Sequence, residues 1–526
     1  MVSETAGHQG SGEGGLGAAL CAGAARHGST ALVFHGPRGT ESTNLRSVHD
    51  RALRVAAGLA ALGVGPGDVV ALQLTSRLES AIAHAAVLLR GAVVLPIVPI
   101  YGLREVGFVL RQSGAAALIA FAGRAGEVLA MRDGLPRLRQ VIAVADGSGA
   151  VQGAASWESL QEHAPLGPLE PADPDDVCVL VYTSGTTADP KGVQHTHRSM
   201  LAELTTMAEM RAGYGADFGY LDAFPPGHVA GLNVLLRALI YGVPTVFMER
   251  WDAETALDIV HRHGVTASAG VPFHLAALLD AAERTGRGVG GLREYLVGAA
   301  SVPPVLVERA ERTGIAAYRA YGSSEHPTIS SGGVDDPRDK RATTDGRPMP
   351  GTQVRIVDAK GRDLPPGREG EILSRGPELF AGYRDPALNA EAFTTDGWLR
   401  TGDVGRMDED GYLTITDRLK DIIVRGGEKI SSKEVEDLLS VHPAVAETVA
   451  VAEPDERYGE RVCAFVVLRQ GCHLDLDAVR DHFAAHGAAR QKTPERLMVV
   501  EALPRTAAGK VRKHELRGIL QSNQNR

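Results

Sequence analysis

The feature that most limits how this chain can fold is an alternation of short apolar runs with amphipathic helical windows. The runs "VVALQL" (69–74), "AALIAF", "QVIAVA", "VCVLVY" (177–182), "PTVFM", "VTASAGV", "EYLVG" and "IAAYRAYG" are strand-length and carry little polar alternation. Such runs suit parallel strands covered on both faces. Between them, "SVHDRALRVAAGLAALG", "ETALDIVHRHG" and "PPVLVERAERTG" repeat apolar residues at helical spacing and stop at glycine. The expected fold class is therefore α/β, with a large N-terminal body of doubly wound sheets. A length of 526 residues exceeds one hydrophobic core. After Tyr321 the texture becomes "GTQVRIVD", "GEILSRG" and "GYLTITD", short strands parted by Gly, Pro and Asp, which predicts a β-rich subdomain. Beyond "TDRLKDIIVRGGEKI" two helices and three strands make a small α+β unit. The predicted divisions are a Gly-rich flexible tail (1–15), a body (16–419) and a small mobile C-terminal domain (420–526) that begins at Lys420.

Composition removes several functional classes. With 55 basic and 64 acidic residues the formal charge is −9, so no polyanion such as a nucleic acid is attracted overall. Cys21, Cys178, Cys463 and Cys472 form no CxxC and no disulfide framework, which fits a reducing cytoplasm. "LGAALCAGAA" (16–25) resembles a signal core, yet no Lys or Arg precedes it; a small-residue helix is expected. The apolar stretch from Ala81 to Tyr101 contains Arg90, Gly91, Pro96 and Pro99, so it reads as a buried helix, a turn and a strand rather than a transmembrane segment.

"TSGTTADPKG" (183–192) follows the "VCVLVY" run. Strand, Gly/Thr loop and then helix is an arrangement that holds phosphates, although the spacing is neither GxxxxGK[ST] nor GxGxxG. Thr183, Ser184, Thr186 and Thr187 offer hydroxyls, Gly185 allows close backbone approach, and Lys191 adds a positive charge. His195, His197, His228, His261, His263 and His274 are numerous, but no HExxH spacing indicates zinc. No Ser-His-Asp set is recognisable.

"YTSGTTADPKG", "YGSSE", "WLRTGDVG", "DRLKDIIVRGGEKI" and "PRTAAGKVRK" occur in the order and approximate spacing of the adenylate-forming enzymes. The set resembles the acyl-CoA synthetase branch of that AMP-binding superfamily, across nearly the whole chain. The resemblance implies a role for each motif. The 183–191 loop would hold the β- and γ-phosphates of ATP. Ala188 stands where similar proteins have glycine, so a positive φ there would cost about 1 kcal/mol. Tyr321 would stack on adenine beside Gly322; Ser324 would meet the α-phosphate; Glu325 would bind Mg2+, a hard cation that prefers carboxylate oxygen. Gly298, Ala299 and Ala300 would line adenine, Ala299 replacing a second glycine. Asp403 would accept from the ribose diol, with Arg418 nearby. Lys510 would stabilise charge on the transferring phosphoryl group. Lys420 would be the hinge of a rotating C-terminal domain, and Gly426 and Gly427 would let the coenzyme A thiol pass. His228, Gly231 and Val271 would belong to the acyl pocket.

The implied reaction joins a carboxylic acid to coenzyme A in two steps through acyl-AMP. The partners are therefore ATP, CoA and a small carboxylic acid, and the resemblance also admits a homodimer. The alternative is an adenylating enzyme that loads an acyl or aminoacyl group onto a carrier protein. "AFPPGHVAG" lacks the aspartate that amino-acid-activating relatives carry in an "FD" string, which disfavours an aminoacyl substrate. A luciferase-like oxygenase and a catalytically dead binding protein are more remote rivals. The segments "HVAGLN", "AGVP", "VGAAS" and "AYGSS" offer small residues and no charge, which predicts a neutral medium-chain, alicyclic or aryl monocarboxylate.

Overall fold

The computed structural model describes residues 14–183, 190–210, 219–426, 428–455, 457–505 and 511–524. Among these, four sheets form. The first has eight strands in the order Gly382–Tyr383, Lys191–Thr196, Val177–Thr183, Val93–Pro96, Val69–Gln73, Ala117–Phe121, Gln140–Val144 and Ala155–Ser156. The six from Val177–Thr183 to Ala155–Ser156 are parallel; the two at the other edge are antiparallel. The second has nine strands, with a parallel centre made of Ala316–Tyr321, Glu294–Val297, Ala267–Gly270, Tyr220–Asp222, Thr245–Met248 and Ala31–Gly36. Antiparallel strands close both of its edges. The body is thus α/β with mixed sheets, and the antiparallel additions are what the apolar runs did not announce.

Both parallel centres are covered by helices, which explains their unbroken hydrophobicity. Every residue of Val69–Gln73 is buried. The stretch from Ala81 to Tyr101 folds as expected. Leu78–Leu89 is a buried helix; Arg90 caps it through its backbone N–H, which donates to Ala86 O, and its Nε donates to Val64 O at 2.8 Å. Gly91 turns at φ +72° and Val93–Pro96 follows as a central strand. No helix among the described residues is long and apolar enough to cross a membrane. "LGAALCAGAA" lies in the helix Gly15–His27, so Gly15, placed by sequence in the tail, is the buried start of a helix.

The β-rich subdomain is an antiparallel sheet of Gln353–Val357, Gly370–Arg375, Leu399–Met407 and Leu413–Arg418. The separate C-terminal domain has its own sheet, with Ile423–Arg425, Glu428–Ile430, Val445–Asp455, Gly459–Leu468 and Arg496–Val499. Ser432–Ser440 and Leu476–Ala485 pack a core of Ile423, Val435, Leu439, Val479 and Phe483. All four cysteines are free thiols.

One expectation fails at the phosphate loop. Lys191–Thr196 is not the start of a helix but a strand antiparallel to Val177–Thr183, with Lys191 opposite Thr183. The helix begins at His197, capped by Thr196, whose side chain accepts from Ser199 N at 3.1 Å. At about 3.3 Å per residue, six strand residues carry that helix end roughly 17–20 Å from Lys191. Among the described residues no helix N-terminus therefore lies beside Lys191.

Candidate active site

One end of the candidate site is built where the second sheet meets the β-rich subdomain. Tyr321 ends the strand Ala316–Tyr321, and its hydroxyl donates to Asp403 Oδ2 at 2.7 Å. Arg418, opposite Asp403 in the antiparallel register, places its Nε 2.9 Å from Oδ1. Asp403 is 4% exposed while Arg418 is half exposed, so the guanidinium also faces solvent. The carboxylate beside it raises the Arg418 pKa further. Two of the roughly four acceptor positions of Asp403 are thus taken, which leaves capacity for a diol. The same bond ties down the Tyr321 ring at its hydroxyl end.

Gly298 and Gly322 answer to packing. A Cβ on Gly298 would sit 3.0 Å from Ala320 O, and one on Gly322 only 2.0 Å from Pro327 O. Ala299 is the only non-glycine among the described residues with a left-handed φ, at +62°. It and Ala300 are exposed at the end of the strand Glu294–Val297.

Glu325 follows the strand Ala316–Tyr321 and is held by two hydrogen bonds. The Tyr383 hydroxyl donates to its Oε1 at 2.7 Å, and Phe380 N donates to its backbone oxygen at 2.9 Å. The Lys191 ammonium lies 5.4 Å from the Tyr383 ring centroid. Burial, reinforced by the Glu325 charge, pushes the Tyr383 phenol well up, so it remains a donor. His195, the next-to-last residue of the strand Lys191–Thr196, places Nε2 2.7 Å from Ser324 O. Because a carbonyl only accepts, Nε2 carries the proton; burial lowers the His195 pKa and keeps the ring neutral. Tyr383 and His195 were missed as site residues. His195 was visible only as one of many histidines, and Tyr383 reaches Glu325 from a two-residue strand that pairs with Val193.

The proposed acyl-pocket residues divide. His228 is the half-buried N-cap residue of the helix Val229–Tyr241, with its amide donating to Pro225 O at 3.0 Å. Gly231 is required by the chain's own turn, since a Cβ there would lie 2.4 Å from Pro225 O. Val271, 2% exposed, packs in the main core at the start of Pro272–Thr285. Gly231 and Val271 therefore do structural work that sequence alone did not separate from pocket lining. The structure also brings acids to Asn233, the last residue of "HVAGLN": its Nδ2 donates to Glu203 Oε1 at 3.2 Å.

Ser184, Gly185, Thr186, Thr187, Ala188, Gly427 and Lys510 lie outside the described residues. Thr183 ends its strand opposite Lys191. Lys420 is an exposed turn residue whose pKa is lowered by desolvation and by the Arg418 charge. Gly426 turns at φ +57°, and its amide donates to Tyr458 O at 2.7 Å. Beside it, Arg425 stacks on the Tyr458 ring at 3.9 Å and forks onto Glu495 at 2.7 and 3.0 Å.

Comparison with known proteins points the same way. Family models described as AMP-binding enzyme and AMP-binding enzyme C-terminal domain match residues 22–384 and 434–510. The chain is 34% identical to a medium-chain fatty-acid–CoA ligase of Escherichia coli, over 87% of this chain and 82% of that protein. It is 35% identical to a salicylyl-CoA synthase / salicylate adenylyltransferase of Streptomyces, over 96% and 93%. ATP-bound MatB from Rhodopseudomonas palustris superposes with a TM-score of 0.87 at 26% identity, covering 97% of this chain and 99% of that one. The apo form of MatB gives 0.76 with the same identity and coverage.

Proposed function

The chain belongs to the AMP-binding enzyme family, in its acyl-CoA synthetase branch, and from that membership we propose that it is an ATP-dependent carboxylate–CoA ligase. In the first step a carboxylate oxygen attacks the α-phosphate of ATP, forming acyl-AMP and releasing pyrophosphate. In the second the thiolate of CoA attacks the acyl carbon, forming the thioester and releasing AMP. The observation that best supports this reading is the linked set Lys191–Tyr383–Glu325, one strand end from Tyr321–Asp403–Arg418. A cation, a carboxylate and a diol acceptor are the three groups that a triphosphate and its ribose require.

Each residue has a task in that scheme. Asp403 accepts from the ribose, Tyr321 covers adenine, and Lys191 with the hydroxyls of 183–187 receives the leaving phosphates. Glu325 offers an oxygen-only ligand suited to Mg2+, which supplies charge neutralisation at the phosphates when bound. Lys510 brings positive charge to the α-phosphate during adenylation, and the C-terminal domain turns about Lys420 to present Gly426 and Gly427 to the thiol. The acid is a neutral monocarboxylate larger than acetate.

The deciding experiment is acid-dependent ATP–pyrophosphate exchange over acetate, octanoate, cyclohexanecarboxylate, benzoate, succinate and phenylalanine, followed by product analysis with and without CoA. Exchange with octanoate, cyclohexanecarboxylate or benzoate plus CoA-dependent thioester supports the proposal. Exchange without any thioester from CoA transfers the assignment to carrier-protein loading. Preference for succinate, phenylalanine or acetate overturns the pocket reading alone.

A further inference from the structure

Behind the helix that carries His228, four segments converge on a buried group of oxygen atoms. Glu203 comes from the helix His197–Glu209, Asn233 from Val229–Tyr241, Thr328 from the loop after Glu325, and Glu378 from "GPELF". Their exposures are 3%, 7%, 8% and 0%. Glu203 Oε1 accepts from Asn233 Nδ2 at 3.2 Å and from Thr328 Oγ1 at 3.0 Å. The Glu378 carboxyl faces that of Glu203.

The group has too many acceptors. Glu203 Oε2, Asn233 Oδ1 and both Glu378 oxygens are buried and receive no hydrogen bond. The Thr206 hydroxyl and the Thr328 amide lie near Glu378, but that hydroxyl is committed to Ala202 O at 2.9 Å. Neither carboxylate makes an ion pair among the described residues. Buried carboxylates without a counter-charge are costly, and orphaned acceptors of this number are rare. A positive centre that bonds only to oxygen would satisfy them.

We propose that Glu203, Asn233, Thr328 and Glu378 form a binding site for a hard metal cation, distinct from the magnesium position at Glu325. Two carboxylates, an amide oxygen and a hydroxyl are the donor set of Mg2+, Ca2+, Na+ or K+ rather than of a thiophilic metal. The ion would cross-link four segments. Two of them lead directly to the nucleotide residues: Thr328 continues from Glu325, and Glu378 precedes Phe380, whose amide holds the Glu325 backbone.

The test uses the full chain, stripped with EDTA and exchanged into choline chloride without nucleotide. Melting is followed as NaCl, KCl, MgCl2 or CaCl2 replaces choline at constant ionic strength, so the four arms also identify the ion. At least one salt should raise Tm saturably by about 2 °C or more, as expected for a ligand of the folded state only. Glu203→Gln and Glu378→Gln should each remove that rise, and Glu325→Gln should retain it. Asn233→Asp, which keeps both acids and adds a third, should lower the half-saturating concentration about tenfold and serves if the glutamine variants do not fold. Four salts indistinguishable from choline would overturn the site and leave a shared proton as what neutralises the pair. Retention of the rise in both glutamine variants, or an unchanged half-saturation in Asn233→Asp, would overturn it equally.

Discussion

Ala299 shows how much a single φ can matter. An L-residue at +62° carries a penalty of about 1 kcal/mol that glycine would not. Ala299→Gly should raise unfolding stability by about 0.5 kcal/mol, once the extra freedom of glycine in the unfolded chain is deducted. Urea denaturation decides, and a loss of stability would mean that the alanine methyl contributes packing instead. Tyr383 offers the converse case. Removing its hydroxyl with Tyr383→Phe deletes a hydrogen bond to a carboxylate, an interaction of about 1.5–3 kcal/mol. We expect kcat/KM for MgATP to drop at least about tenfold and the melting temperature to fall by only a few degrees. Wild-type kinetics in this variant would show that Glu325 needs no such tether. Glu325 and Asp403 were legible because they lie inside local motifs. Tyr383 and His195 were not, because their roles exist only across a pairing of distant strands.

At the scale of elements, helix Leu78–Leu89 makes a pH-dependent contribution. His84 is 1% exposed within it, donates through Nδ1 to Ser80 O at 2.7 Å, and has its pKa lowered by burial to about 4. A ring that is neutral in the fold but titrates near 6.5 when unfolded gives full stability above pH 6.5. That contribution is lost as pH falls toward 4. At about 1.4 kcal/mol per pKa unit, the loss between pH 6.5 and 4.5 is of order 2–3 kcal/mol. His84→Leu should flatten the stability profile by that amount over this interval, as urea unfolding at several pH values would reveal. The strands of the parallel centres were readable from their apolar runs. The strand Lys191–Thr196 was not. "KGVQHT" is half polar because its partners are one apolar strand and two residues contributed from Gly382–Tyr383.

For the molecule as a whole, the arrangement is closer to ATP-bound MatB than to its apo form, with TM-scores of 0.87 and 0.76. If the C-terminal domain alternates between two placements, its two chemical residues should separate genetically. Lys510→Ala should abolish ATP–pyrophosphate exchange yet largely spare thioester formation from supplied acyl-AMP. Gly427→Leu should do the reverse. Equal loss of both half-reactions in either variant would count against alternation. The sequence by itself determined the α/β class and the order of the sheets' central strands along the chain, and it nominated the nucleotide residues on which the proposed function rests. These depend on local periodicity and on motifs whose chemistry is complete within a few positions. Only the tertiary structure decided that the 183–191 segment is followed by a strand, that Gly231 lies against its own chain's turn and Val271 in the main core, and that Glu203 meets Glu378. Those outcomes turn on contacts between segments far apart in the chain, where local composition carries no record of the partner.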